Sequence, residues 1–123
     1  MTNPQISERT NRLRSIITRV ETTALYSASA VYYADEVAYY AAKAARLAEK
    51  AAKFADDAVY YSDKAADFAD QGAVEEAAGL ADRAERSADR GARCVERSAK
   101  FAGEAARLAS SATEIEEAAK TTD

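Results

Sequence analysis

A seven-residue spacing of small apolar and aromatic residues is the feature that most constrains this chain. Between residues 22 and 70, four of the seven heptad positions are almost entirely apolar, and the other three hold mainly charged residues and tyrosines. At about 100° per residue, the four apolar positions span roughly 160° of a helix surface. A repeat of seven over this length is typical of coiled coils, so the sequence predicts long helices that pack side by side.

The four apolar columns of this first array differ in side-chain size. The first alanine column is Ala24, Val31, Ala38, Ala45, Ala52, Val59 and Ala66, and the second is Ala34, Ala41, Ala48, Ala55, Ser62 and Ala69. The third alanine column is Ala30, Val37, Ala44, Ala51, Ala58 and Ala65, and the aromatic column is Tyr26, Tyr33, Tyr40, Leu47, Phe54, Tyr61 and Phe68. Because alanine buries little area, a core made of it must pack closely over a long interface. We expect alanines at the centre and the aromatic column at the edge, wrapping over a partner helix.

A second array, residues 73–119, repeats at seven in a different phase. Its apolar columns are Leu80, Ser87, Cys94, Phe101, Leu108 and Ile115, and Ala77, Ala84, Gly91, Ser98, Ala105, Ala112 and Ala119. They are flanked by Val74, Ala81, Ala88, Val95, Ala102 and Ala109. On one straight heptad-repeat helix, the stripes of the two arrays would point to different sides.

A turn near Asp70-Gln71-Gly72 resolves this conflict, because glycine is well suited to the position that follows a helix C-terminus. The sequence therefore predicts an all-α fold, an alanine-rich antiparallel helical hairpin in one domain, 1–123, with long helices over 22–70 and 73–119. One very long helix in an oligomer, or additional breaks, would be the alternatives.

The N-terminal segment, residues 5–21, carries larger aliphatic residues than the arrays. Ile6, Leu13 and Val20 continue a core column of the first array upstream, and Ile16 and Ile17 fill the neighbouring columns. Residues 1–34 hold four arginines against two glutamates. A hairpin that pairs residue 119 with about residue 25 leaves this segment overhanging. We expect it to fold back as a short third helix or to pack against another chain, either a partner protein or a second copy of this one.

Two further groups of residues are candidate surfaces. Tyr32, Tyr39 and Tyr60 lie opposite the centre of the first apolar stripe, and exposed tyrosines are common in protein-binding hot spots. A basic ridge on the second helix consists of Arg83, Arg86, Arg90, Arg93, Arg97, Lys100 and Arg107. It could face an anion, or it could be a solvated face with ion pairs such as Asp82–Arg86, Asp89–Arg93 and Glu96–Lys100.

Composition argues against catalysis. The chain has no histidine, the commonest general base and metal ligand, and no glycine-rich phosphate loop. We therefore expect no enzyme activity, no catalytic residues, no cofactor and no metal. Its single cysteine, Cys94, falls in a core column and is expected to be buried as a small hydrophobic residue.

The expected function is that of a non-catalytic protein-interaction module: a scaffold, adaptor, inhibitor or self-assembling component. With no apolar signal-like segment, the expected location is the cytoplasm. Two other partners are weaker hypotheses than a protein. Nucleic acid would bind through the basic ridge, but the net charge of the chain is −4. A lipid or granule surface would bind the apolar stripe, but that stripe is mostly alanine, which is a poor membrane anchor.

Overall fold

The computed structural model describes residues 4–121, which form two helices, α1 (Pro4–Asp70) and α2 (Val74–Thr121). The described residues contain no strand. The predicted all-α helical hairpin is confirmed, and its turn lies where the phase of the heptads changes. The scarcity of chain breakers explains the long helices. The single proline, Pro4, stands in the first turn of α1, where its missing N–H has no helical partner to lose.

Gly72 ends α1 through a left-handed backbone conformation, with φ of 79°. The Gly72 N–H donates to the Ala69 carbonyl at 3.0 Å, and the Ala73 N–H donates to the Phe68 carbonyl at 2.9 Å. This pair of bonds is a Schellman motif, which satisfies two of the last carbonyls of a helix. Three residues then separate the last residue of α1 from the first of α2, so the chain reverses direction at once.

Gly72→Ala is expected to lower the free energy of unfolding by about 1 kcal/mol, because an alanine Cβ disfavours positive φ. The space around Gly72 is open, so the cost is conformational and not steric. Gly79→Ala is the matched control, because Gly79 is helical and equally uncrowded. There alanine should raise the free energy of unfolding by about 1 kcal/mol. Urea denaturation followed by circular dichroism measures both, and a loss at both positions would contradict this account of the turn.

Backbone contacts divide the chain into two compact units. One, hereafter the hairpin unit, is Tyr39–Glu104; the other comprises Met1–Ala38 and Ala105–Asp123 and is hereafter the terminal unit. In the hairpin unit, the Ser98 hydroxyl donates to the Ala44 carbonyl at 2.8 Å, and the rings of Tyr40 and Phe101 stack at 5.9 Å. These contacts show that the two helices run antiparallel.

The core of the hairpin unit is small and centres on Leu47, Ala51 and Cys94, with Phe54 and Phe101 packed against them. Gly91 allows the helices to approach closely there. A Cβ built on Gly91 would lie 3.4 Å from the Phe54 Cβ and 3.5 Å from the Ala51 carbonyl oxygen. A side chain larger than alanine would therefore not fit at Gly91, and the predicted burial of Cys94 is confirmed.

On α1, the prediction of which columns meet the partner helix is partly wrong. The aromatic column lies at the interface, beside the third alanine column, whereas the described members of the first and second alanine columns are exposed throughout. The reason is geometric, because a single partner helix contacts only the two columns that form the interface. These two columns span less than the full apolar arc of α1, which is about 160°. On α2 both predicted columns are buried or half-buried, and the flanking column that begins at Val74 is exposed.

In the terminal unit, Ala105 and Leu108 are buried, and Ala119 of α2 lines a groove with Thr22 and Tyr26 of α1. This agrees with the predicted register. Segment 5–21 is helical, as predicted, but it is the beginning of α1 itself, and the helix passes through Thr22 without a break. Among the described residues there is no third helix, so the segment does not fold back as one.

Candidate interaction surfaces

The aliphatic stripe of the terminal unit is exposed. Its five members have exposed fractions between 51% and 62%: Ile6, Leu13, Ile16, Ile17 and Val20. They lie three, four or seven residues apart on an uninterrupted helix and therefore share one face. Ile6, Leu13 and Val20 belong to the second alanine column, and Ile16 and Ile17 belong to its neighbouring columns. Their predicted alignment on one face is correct, but the prediction that the second alanine column is part of the core is wrong.

Basic side chains surround this stripe. Arg12 and Arg19 line the shallow grooves beside Ile16 and Val20, and Arg12 forms an ion pair with Glu8 at 3.8 Å. Leu25, with 66% exposed, is a further exposed aliphatic residue that the sequence analysis missed, and it belongs to the outward tyrosine column and not to the stripe. The signal was available, because Leu25 is seven residues before Tyr32 and belongs to the same outward column.

One side of the hairpin unit is apolar. An open groove there is lined by small residues of both helices and by one acid: Ala58, Ser62, Ala65, Ala81, Ala84, Glu85 and Ala88. The second alanine column of α1 and the flanking column of α2 therefore border the same groove. These columns contain no charged residue within the hairpin unit, and Val95 is exposed among them. Such flanking positions usually carry charges in a coiled coil, so their apolar character indicates a surface that another helix can cover. This surface is hereafter the apolar side.

The other side of the hairpin unit is basic. Its groove is lined by Phe54, Asp57, Tyr61, Arg83, Arg86, Ser87 and Arg90. Asp57 shares a heptad column with Lys43, Lys50 and Lys64, so these lysines of α1 border the groove that the arginines of α2 line. The Lys43 ammonium lies 5.2 Å from the centre of the Phe101 ring, and the Arg83 guanidinium lies 4.8 Å from that of Tyr61.

The basic ridge is therefore half of a larger surface. Sequence reasoning found its α2 residues and missed the α1 lysines, because only the hairpin brings the two helices to one groove. Within residues 82–100, all of which the structure describes, the three expected ion pairs do not form within 4.0 Å. Arg107, the last residue predicted for the ridge, belongs to the terminal unit.

The tyrosine doublets divide their rings between interface and solvent. Tyr32, Tyr39 and Tyr60 are exposed, as predicted, and each packs edge-to-face on its neighbour in the aromatic column. The ring centres of Tyr39 and Tyr40 are 5.2 Å apart, and the Lys43 ammonium lies 4.6 Å from the Tyr39 ring centre. The outer rings thus stabilise the inner ones and leave an aromatic face available.

The described residues hold no group of three metal-ligating side chains, and none of their helices is both long and apolar enough to cross a bilayer. Comparison of the chain with protein-family models, curated proteins and solved structures finds no match.

Proposed function

We propose that this protein is a non-catalytic interaction module that binds another protein chain through the aliphatic stripe. The observation that carries the proposal is the exposure of five large aliphatic residues on one face of a continuous helix. Burying each of them would contribute about 1.5–3 kcal/mol. Nothing in the terminal unit covers this face among the residues that the structure describes, so the gain is available to a partner.

The geometry suits recognition of a helix by a groove. Ile6, Leu13 and Val20 are spaced by seven, and Ile16 and Ile17 fill the turn between the last two. Anchors at such spacings are what an amphipathic helix presents to an apolar groove. The proposed partner thus provides an apolar groove wide enough for one helix.

A second copy of this chain offers such a groove on its apolar side. Acidic residues border that side on both helices: Glu49, Asp56, Asp63 and Asp70 on α1, and Glu75, Asp82, Asp89 and Glu96 on α2. The segment that carries the aliphatic stripe is basic, with four arginines against two glutamates. Apolar surface and charge are both complementary, which supports self-association as the partner choice.

Leu13→Asp is expected to weaken self-association at least about 30-fold, because it removes a buried aliphatic side chain and places a charge in an apolar groove. Sedimentation velocity over a concentration series of the full chain measures the dissociation constant. Asn11→Asp is the matched control, since it adds the same charge to the same helix about 160° around the helix axis from Leu13. Circular dichroism verifies that both variants keep their helicity.

Two outcomes would overturn this proposal. A wild-type chain that stays at the monomer mass of 13.2 kDa throughout the series would remove the second copy as the partner. Equal weakening by Leu13→Asp and Asn11→Asp would show that added negative charge, and not the loss of the aliphatic contact, governs assembly.

A further inference from the structure

We propose that the basic side of the hairpin unit is a binding site for single-stranded nucleic acid, which it contacts through the phosphates. This side is opposite to the apolar side, and the inference does not depend on self-association.

Charge in the hairpin unit is segregated by heptad position. All of its cations fall in two columns of each helix: Lys43, Arg46, Lys50, Lys53 and Lys64 on α1, and Arg83, Arg86, Arg90, Arg93, Arg97 and Lys100 on α2. Over residues 39–54 and 86–100 these columns contain no acid. Although the net charge of the whole chain is −4, this face alone is strongly positive. The small net charge of the chain thus results from an uneven distribution of charged residues, and the positive potential of this face attracts polyanions.

Cations of both helices line this face. Gly91 of α2 packs against Ala51 of α1, which places Lys50 across the groove from Arg90. Within residues 39–100, all described, the structure shows no salt bridge for these side chains within 4.0 Å. Like charges that face each other across a groove destabilise the folded state. An anion bound between the two rows would remove that repulsion.

The residue types on this face favour nucleic acid over an acidic protein. The four columns hold no aliphatic side chain within the hairpin unit, so a protein partner would bury little apolar surface there. They do hold Tyr39 and Tyr60, whose exposed rings lie among the cations. Alternating aromatic and basic side chains are the pattern with which proteins bind single strands, by stacking on bases and pairing with phosphates.

The shape of the face selects a single strand over a duplex. Cations in one column repeat at about 10.5 Å along a straight helix. A flexible strand can follow both rows of cations, whereas the backbones of a duplex wind away from a straight surface after a few phosphates. Contacts to phosphates carry no sequence information, so the expected binding is independent of base sequence.

Fluorescence anisotropy with a labelled oligothymidylate tests this site in the full-length protein. Binding is expected at low salt, with log K falling linearly with log salt by about 0.7 per phosphate contacted. Arg90→Ala with Arg97→Ala should weaken binding at least tenfold and reduce that slope by about 1.4. The matched control, Arg9→Ala with Arg14→Ala, removes the same charge from the terminal unit and should leave both values nearly unchanged.

Stacking has a signature of its own. Tyr60→Ala should weaken binding about tenfold while the salt slope stays the same, because it removes a base contact and no charge. Failure of the wild-type chain to bind the oligothymidylate at low salt would overturn the proposal. So would equal losses in the two arginine variants, which would indicate net charge alone. Tighter binding of a duplex of the same length would overturn the single-strand assignment.

Discussion

Leu47→Ala is expected to lower the free energy of unfolding by about 2–3 kcal/mol. Leu47 is 8% exposed and lies in a core with Ala51 and Cys94, against Phe54 and Phe101. Few large side chains are buried in this hairpin, and alanine neighbours cannot move to fill the space that a shortened residue leaves. The lost contacts therefore appear almost in full as lost stability.

Leu25→Ala is the matched control, because it is the same substitution on the same helix at a residue that is 66% exposed. It should change stability by less than about 0.5 kcal/mol. Urea denaturation followed by the helical circular dichroism signal measures the free energy of unfolding of both variants. Equal losses would mean that Leu47 does not occupy the interface described above.

Gly91→Leu is expected to destabilise the protein by about 2 kcal/mol or more, because the side chain has no room beyond its Cβ. The Cβ itself already meets the Phe54 Cβ at 3.4 Å, which is ordinary van der Waals contact. Gly91→Ala should therefore fit and gain up to about 1 kcal/mol from helix propensity. The sign of the effect should thus reverse between alanine and leucine at one position.

Gly103 provides the control for Gly91, since it is helical and its Cβ would meet nothing within 4 Å. Gly103→Leu should be neutral or stabilising, because leucine is a good helix former and the site is open. Thermal unfolding of the three variants separates the contribution of helix propensity from that of packing. A destabilising Gly91→Ala, or a tolerated Gly91→Leu, would show that the helices are not as closely packed there as the distances indicate.

Local rules account for much of this fold. Heptad periodicity, few glycines and one proline were enough to predict two long helices, and the phase change with Gly72 was enough to place the turn. Both columns of α2 that face α1 were also predicted correctly, because that helix has a single narrow apolar stripe. The alignment of Ile6, Leu13 and Val20 on one face followed from the same periodicity.

The sequence did not show which part of the apolar arc of α1 faces α2. Four columns were apolar, and nothing in a single helix says which two a partner will cover. The aromatic column occupies the seam because its large side chains bury the most area against α2, where small residues such as Gly91 leave room for them. The remaining alanine columns are left exposed on the apolar side.

The helices, their turn and the faces that each helix carries follow from the amino-acid sequence, because they depend on neighbours three, four or seven residues apart. The antiparallel packing of the two helices is what places Tyr61 and Arg90 beside one groove and Ser62 and Ala81 beside the other. The antiparallel pairing joins residues that are distant in the chain, and it sorts their charges and apolar groups onto opposite sides of the hairpin unit. Both proposed binding surfaces arise from that pairing and from the part of α1 that α2 does not cover.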